Sequence, residues 1–149
     1  MNKYIIIGIV LVALVAGGVA YSTFSTAFKC EPGMGADREF TVRSVQNEWR
    51  FEPETITVDQ CDRVKVTMIN EDNYDHGVAI HAFGISQRLP AKESIDFEFV
   101  ASQGGEFDFI CSVSCGGGDV TTGPYAGTVR GHFDHIGQFI VNAWESVTQ

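Results

Sequence analysis

The chain has 149 residues, which is enough for one domain of ordinary size. Of these residues, 44% are hydrophobic and 19% are charged, a composition typical of a packed core rather than of a disordered chain. The formal net charge of −9 argues against binding to nucleic acid, whose phosphates require a basic surface. We therefore expect a single folded domain with no nucleic-acid partner.

The N-terminal segment MNKYIIIGIVLVALVAGGVAYSTF is apolar apart from Lys3, and the next charged residue is Lys29. Its apolar stretch, residues 4–20, is at the short end of the length that spans a bilayer. We predict a transmembrane anchor over residues 1–21, with the N-terminus inside and the domain on the periplasmic or extracellular side. The alternative is a signal peptide, because Gly18-Val19-Ala20 offers a small-residue cleavage pattern. Both interpretations export the domain.

Export allows disulfides, and the even number of four cysteines favours one. Cys30 follows the apolar segment, and Cys61 lies in VDQCDRV, a predicted turn between strands. Neither has a histidine nearby in the sequence. We predict a Cys30–Cys61 disulfide, which leaves Cys111 and Cys115 to each other or to a metal.

After a predicted linker over residues 22–38, the domain of residues 39–149 shows short runs of alternating polarity. These runs are REFTVRSVQ, ETITVD, RVKVTMIN, SIDFEFV, GEFDFIC and GQFIVNAW. Runs of this length, separated by Gly, Pro, Asn and Asp, indicate an all-β antiparallel sandwich.

The histidines suggest a metal site. They fall in two segments, on either side of a Cys-x-x-x-Cys that ends a predicted strand: His76, His81, His132 and His135. Thiolate together with imidazole suits copper, whereas structural zinc motifs usually have two residues between their cysteines. A disulfide between Cys111 and Cys115 is the alternative, although two cysteines at the end of one strand seldom meet well.

The sequence also resembles a known family. FEPETITVDQCDRVKVTMIN resembles the central strands of cupredoxins. VAIHAFGI, FICSVSC and HFDHIGQFIV together resemble the dinuclear copper A domain of subunit II of haem–copper oxidases and of nitrous oxide reductase. The resemblance covers residues 40–142 and implies a cupredoxin-like Greek-key β-sandwich. The single N-terminal anchor is similar to that of subunit II of ba-type oxidases.

This resemblance implies a set of copper ligands. Cys111 and Cys115 would bridge two copper ions, and His81 and His132 would each bind one of them. The Val113 carbonyl would be a weak ligand, and His135 stands where the family has a methionine. The family's second histidine falls at Asp119 here, which makes Asp119 an alternative ligand. GGDVTTGPYAGTVR is inserted before His132, and the match of HFDHIGQFIV favours His132.

HGVAIHAFGI also resembles nitrosocyanin, a mononuclear red copper protein whose glutamate ligand falls at His76. This second resemblance makes His76 a candidate ligand and leaves a single copper ion as the alternative.

Three aromatic residues have two interpretations each: Phe83 and Phe133 either shield the metal or belong to the core, and Trp49 lies either near the point of electron transfer or in the core.

The function implied by the copper A resemblance is single-electron transfer by a membrane-anchored, extracytoplasmic domain. The chain alone is not expected to be catalytic, but it would serve as the electron-accepting subunit of a cytochrome c oxidase-type oxidoreductase or as a related carrier. A cytochrome or a small copper protein would be the donor, and a haem-bearing oxidase subunit the acceptor. The alternatives are a mononuclear copper protein, a protein that delivers copper, and a redox-inactive sandwich with a second disulfide.

Overall fold

The structure, a computed structural model, describes residues 7–10, 12–14 and 29–144. Residues 7–10 and 12–14 are helical. Within the described ranges, no helix is long and apolar enough to cross a membrane. The anchor predicted over residues 1–21 and the first part of the linker lie mostly outside these ranges, so both stay predictions.

From residue 37 onward the regular secondary structure of the described chain is β-strand, apart from two short 3-10 helices. The strands are Asp37–Ser44 (β1), Phe51–Glu52 (β2), Thr55–Asp59 (β3), Arg63–Asn70 (β4), His76–Ile80 (β5), Ile85–Leu89 (β6), Ser94–Val100 (β7), Gly105–Ile110 (β8), Gly117–Asp119 (β9), Val129–Gly131 (β10) and Ile136–Asn142 (β11). Two 3-10 helices, His81–Phe83 and His132–Asp134, follow β5 and β10.

The strands form a two-sheet sandwich. One sheet has the order β2-β1-β4-β7, the other has the order β3-β11-β8-β5-β6, and β9 and β10 form a separate hairpin. The prediction of a purely antiparallel sandwich is corrected in two places, because β1 runs parallel to β4 and β3 runs parallel to β11. The chain forms β3 in the opposite sheet before it returns as β4, and such a crossover permits parallel neighbours.

Alternating polarity places one face of most strands in the core. In β4, Val64, Val66 and Met68 are buried while Arg63 and Lys65 are exposed. Burial of such apolar surface is the main force that holds the two sheets together. β5 departs from this rule, because all of its residues are buried. A strand covered on both faces does not alternate, which is why the sequence pattern did not predict it.

The predicted Cys30–Cys61 disulfide is confirmed, with the two Cα atoms 5.3 Å apart. It joins the segment before β1 to the turn between β3 and β4. A cross-link of this span restricts the unfolded chain and typically contributes about 2–4 kcal/mol to stability. Cys111 and Cys115 are free and buried, so the alternative of a disulfide between these two is not seen.

Candidate metal centre

Three connections meet at one end of the sandwich. They run from β4 to β5, from β8 to β9 and from β10 to β11. His76 begins β5, Cys111 directly follows β8, and His135 directly precedes β11. The antiparallel pairing of β8 with both β5 and β11 brings these connections together.

Four side chains form a buried cluster at this end: His76, Cys111, Cys115 and His135. Their potential ligand atoms all lie within 4.8 Å of one another. The two Sγ atoms are 3.4 Å apart, well beyond the bonding distance of about 2.05 Å in a disulfide. His76 Nδ1 is 3.6 Å from Cys111 Sγ, and His135 Nδ1 is 4.0 Å from Cys115 Sγ.

Two further groups border the cluster. His132 Nδ1 lies 3.6 Å from Cys115 Sγ, and this histidine is half-buried. The carbonyl oxygen of Val113 lies 3.1 Å from Cys111 Sγ. Each thiol sulfur therefore has one imidazole nitrogen at 3.6 Å, from His76 on one side and from His132 on the other.

His81 does not join the cluster, contrary to the ligand set implied by the copper A resemblance. β5 pairs with β8 in the register Ala79↔Ile110. Because the strands are antiparallel, the His76 end of β5 lies beside the connection that carries the cysteines, and His81 lies about 17 Å away along the strand. His81 is exposed in the 3-10 helix that follows β5. The structure thus places His76 where the resemblance had placed His81.

Asp119 also lies away from the cluster. It is exposed in β9, where it pairs with Val129 of β10. The hairpin register continues to Gly117↔Gly131, so the end of the insertion returns next to its start, close to Cys115 in the chain. This geometry brings His132 to the cluster despite its distance from Cys115 in the sequence.

Backbone hydrogen bonds hold the cysteine and histidine connections against each other. The Cys111 N–H donates to the His135 carbonyl at 3.0 Å, and the His132 N–H donates to the Gly116 carbonyl at 2.8 Å. In addition, the Trp49 indole Nε1–H donates to the Cys115 carbonyl at 3.2 Å. The side chains are thus positioned by the fold rather than by long flexible loops.

The electrostatics of the cluster favour a thiolate. The hydrogen bond to Cys115 has the largest effect on Cys111 and lowers its pKa. Hydrogen bonds to His135 and His76 lower the pKa further, and together these bonds outweigh burial, which alone would raise it. The hydrogen bond to Cys111, with burial, raises the pKa of Cys115. Burial alone would lower the pKa of His76, but its hydrogen bonds to Asp72 and Cys111 outweigh burial and raise the pKa to about 9. Burial lowers the pKa of His135. Metal binding at these groups must therefore release protons.

The aromatic residues divide into core and surface. Phe83 packs against Phe99, Phe107 and Phe139, so it belongs to the core. Phe133 is 87% exposed and contacts the His132 ring with a centroid distance of 5.1 Å, so the core interpretation is wrong for this residue. Trp49 is buried, and its indole N–H donates a hydrogen bond to the backbone carbonyl of Cys115.

The donor set fits copper. Two free thiols and buried imidazoles offer sulfur and nitrogen ligands, which copper prefers, and the cluster supplies no carboxylate oxygen as a direct ligand. The fold itself holds the cysteine side chains close to each other and to the imidazoles, which is the preorganisation that a metal site requires.

Comparisons with known proteins agree with the fold. A sequence profile described as Cupredoxin-like domain matches residues 10–121. No curated protein matches the sequence at a significant level. Among solved structures, a copper-containing nitrite reductase from Thermus scotoductus SA-01 is 22% identical with a TM-score of 0.51, and the match covers 74% of this chain and 28% of that longer one.

Two further matches cover nearly all of the other chain. A chain of a heme-copper terminal oxidase dimer is 15% identical with a TM-score of 0.54, over 94% of this chain and 97% of that one. Auracyanin A, a "blue" copper protein from Chloroflexus aurantiacus, is 16% identical with a TM-score of 0.52, over 71% of this chain and 99% of that one. At these identities the structural likeness shows the fold. Together with the profile match, it establishes that the chain belongs to the cupredoxin-like domain family.

Proposed function

We propose that the domain transfers single electrons through a dinuclear copper site of the copper A type. The observation that carries this proposal is the arrangement of the two free thiols, 3.4 Å apart, with one imidazole nitrogen 3.6 Å from each. Cys111 and Cys115 would bridge the two ions, and His76 and His132 would each bind one. The Val113 carbonyl and His135 are the proposed weak ligands.

Two copper ions held by Cys111 and Cys115 would share one unpaired electron, so that the site would change little when it takes up or gives away an electron. The residues of the chain support this in two ways. The backbone bonds from Cys111 and His132 fix the ligand positions, and burial of His76 and His135 keeps water from the inner side of the site. The half-buried His132, next to the exposed Phe133, is the proposed path of electrons to and from a partner protein.

We further propose that the domain works outside the cytoplasm, held to the membrane by residues 1–21. The Cys30–Cys61 disulfide supports an oxidising compartment. The proposed redox partners are a cytochrome or small copper protein as donor and a haem-bearing oxidase subunit as acceptor. The coverage of the oxidase chain over nearly its whole length supports this role.

A mononuclear copper site is the second candidate. It is favoured by the cluster of His76, Cys111, Cys115 and His135, whose four potential ligand atoms lie within 4.8 Å of one another, as one ion would require. In that arrangement His135 is a strong ligand and His132 is not one.

Copper content and electron paramagnetic resonance of the purified full chain separate the two candidates. The dinuclear proposal predicts two coppers per chain and, in the mixed-valence form, a signal in which the electron couples to both nuclei. Cys111→Ser and Cys115→Ser should each abolish that signal, whereas Ser112→Ala, between them, should leave it unchanged. One copper per chain with a localised electron would establish the mononuclear site instead, and a chain that takes up no copper would contradict both.

A further inference from the structure

A buried carboxylate lies behind one of the two inner imidazoles. Asp72, in the connection between β4 and β5, has its Oδ2 atom 2.7 Å from His76 Nε2. Both side chains are fully buried, with 0% of each residue exposed. Because a carboxylate only accepts, the His76 Nε2–H donates this bond, which leaves Nδ1 facing the thiol of Cys111.

The carboxylate is itself fixed by the backbone. Its second oxygen, Oδ1, accepts the N–H of Asn47 at 2.8 Å. The Asp72 N–H donates to Asn70 Oδ1 at 2.9 Å, and the Asp72 carbonyl accepts the N–H of Lys92 at 3.1 Å. The aspartate is therefore held by four hydrogen bonds, and its direction toward His76 follows from the fold.

The charge of Asp72 is not neutralised by a basic side chain. Among the described residues, its ion-pair partner is His76 and no lysine or arginine pairs with it. In a buried environment a charge is weakly screened, so this negative charge acts directly on the ring of His76.

The other inner imidazole lacks such a partner. His135 Nε2 lies 3.4 Å from the hydroxyl of Ser44, which is neutral. The electrostatic environment of the cluster is thus asymmetric, with a full negative charge behind His76 and a neutral group behind His135.

We propose that Asp72 is a positioning residue that holds His76 by its Nε2–H and, through its buried charge, lowers the reduction potential of the metal bound at Nδ1. This inference rests on the proposed copper electron-transfer function. A carboxylate behind a ligating imidazole fixes its tautomer and strengthens it as a donor, and a stronger donor stabilises the oxidised metal. Asp72 thereby places the potential of this site below that of a site whose histidines bond only neutral groups.

The substitution Asp72→Asn tests the charge. Asparagine has one acceptor oxygen, whereas the aspartate uses two. The substitution therefore removes the negative charge and also one of two hydrogen bonds, either the one from the Asn47 N–H or the one from His76. Glu71→Gln is the matched control, because it removes one negative charge from the adjacent position, where the partly exposed side chain pairs with Arg43 at 3.2 Å.

The measurement is the midpoint potential of the copper-loaded full chain. We expect Asp72→Asn to shift the equilibrium toward the reduced form by about tenfold or more, which is about 59 mV for one electron. Glu71→Gln should shift this equilibrium less than about twofold, because solvent and salt screen a partly exposed charge. Equal shifts in the two variants would overturn the proposal.

A second measurement does not depend on copper redox chemistry or on the folding of a variant. In the metal-free wild-type chain, nuclear magnetic resonance should show the His76 Nε2–H proton as a slowly exchanging signal. Its absence would overturn the role of Asp72, whatever the metal does. A protected proton in a chain that shows no reversible copper couple would instead support the Asp72 contact and contradict the proposed function.

Discussion

At the scale of single residues, the distances of the two histidines from Cys115 Sγ distinguish the proposed strong ligand from the proposed weak one. His132 approaches Cys115 Sγ at 3.6 Å from the half-buried side of the cluster, and His135 approaches the same atom at 4.0 Å from the buried side. The His135 ring also packs on Phe51, with a centroid distance of 4.0 Å. His135 is thus held in the core and lies farther from the sulfur than His132 does, which fits the weak-ligand position proposed for it.

We therefore expect His132→Ala to lose most of the copper, while His135→Met keeps it. Methionine at position 135 should also raise the reduction potential, because a thioether stabilises cuprous copper better than an imidazole does. Copper analysis and voltammetry of the purified variants provide the test, and His81→Ala, in an exposed 3-10 helix, is the control that should change neither quantity. Loss of copper from His135→Met together with full binding by His132→Ala would favour the mononuclear site.

The sequence predicted much of this cluster, but it did not determine which end of β5 would face the cysteines. The Cys-x-x-x-Cys at the end of a strand and the His-x-x-His before the last strand are local patterns, and the structure brings them together. His76 begins β5 and His81 directly follows it, and choosing between these two histidines requires the long-range register with β8. The hydrogen bond between Asp72 and His76 was not predicted either, because three residues of an irregular connection separate the partners and no periodic pattern marks them.

At the scale of elements, the β9–β10 hairpin makes a long insertion compatible with the site. Two hydrogen bonds hold the tip of the hairpin against the segments on either side of β2. The Thr122 hydroxyl donates to the Glu48 carboxylate before β2, and the Tyr125 hydroxyl donates to the Glu54 carboxylate after β2. Val120 is buried in the main core. The insertion is therefore a folded part of the domain, and the close pairing of Gly117 with Gly131 determines where the chain returns to His132.

Gly117→Ala should disturb this return. A Cβ at position 117 would lie 2.9 Å from the Arg130 carbonyl oxygen and 3.1 Å from the Gly131 Cα, so the hairpin strands would have to separate. We expect a loss of about 1–3 kcal/mol in the free energy of unfolding, together with weaker copper binding, because His132 moves with β10.

Chemical denaturation and copper titration measure the two effects of Gly117→Ala. Asp119→Ala is the matched control in the same strand, since its side chain is exposed and lies outside the cluster. It should bind copper like the wild type. If Asp119→Ala loses the metal while Gly117→Ala retains it, then the hairpin does not have the role described here.

At the scale of the whole molecule, the disulfide and the candidate metal centre lie at opposite ends of the sandwich. β4 runs from the turn that holds Cys61 and Asp62 to Asn70, near the candidate metal centre. Eight residues of extended chain span about 26 Å. The sequence predicted the hydrophobic core between the two sheets, because most strands alternate in polarity. It did not predict the parallel strand pairs or the separate β9–β10 hairpin, because these depend on crossovers between sheets that local patterns do not encode.

Asp62 ties the segment before β1 to this remote end. Its buried carboxylate accepts the N–H groups of Ala36 and Asp59 at 2.7 and 3.0 Å and a bond from Arg38 Nε at 2.9 Å. Burial alone would raise the pKa of Asp62, but these bonds stabilise the charged form and lower the pKa instead. In the unfolded chain the carboxyl has its ordinary pKa of about 3.9. Its contribution to stability is therefore complete above that pH and is lost as the pH falls through the lower folded pKa.

Asp62→Asn should consequently lower the free energy of unfolding at neutral pH by about 1.5–3 kcal/mol, the range for hydrogen bonds to a charged group. Below about pH 4 the difference from the wild type should shrink, because the wild-type carboxyl then becomes protonated as well. Denaturation of the metal-free chains across this pH range is the measurement.

Asp37→Asn is the control, since this exposed carboxylate pairs with Arg63 on the surface, where an ion pair contributes about 0–1 kcal/mol. A difference between Asp62→Asn and wild type that is constant from pH 7 to pH 3 would show that the charge of Asp62 does not stabilise the fold. Because the site lies at the other end of the sandwich, the copper spectrum of Asp62→Asn at neutral pH should match that of the wild type.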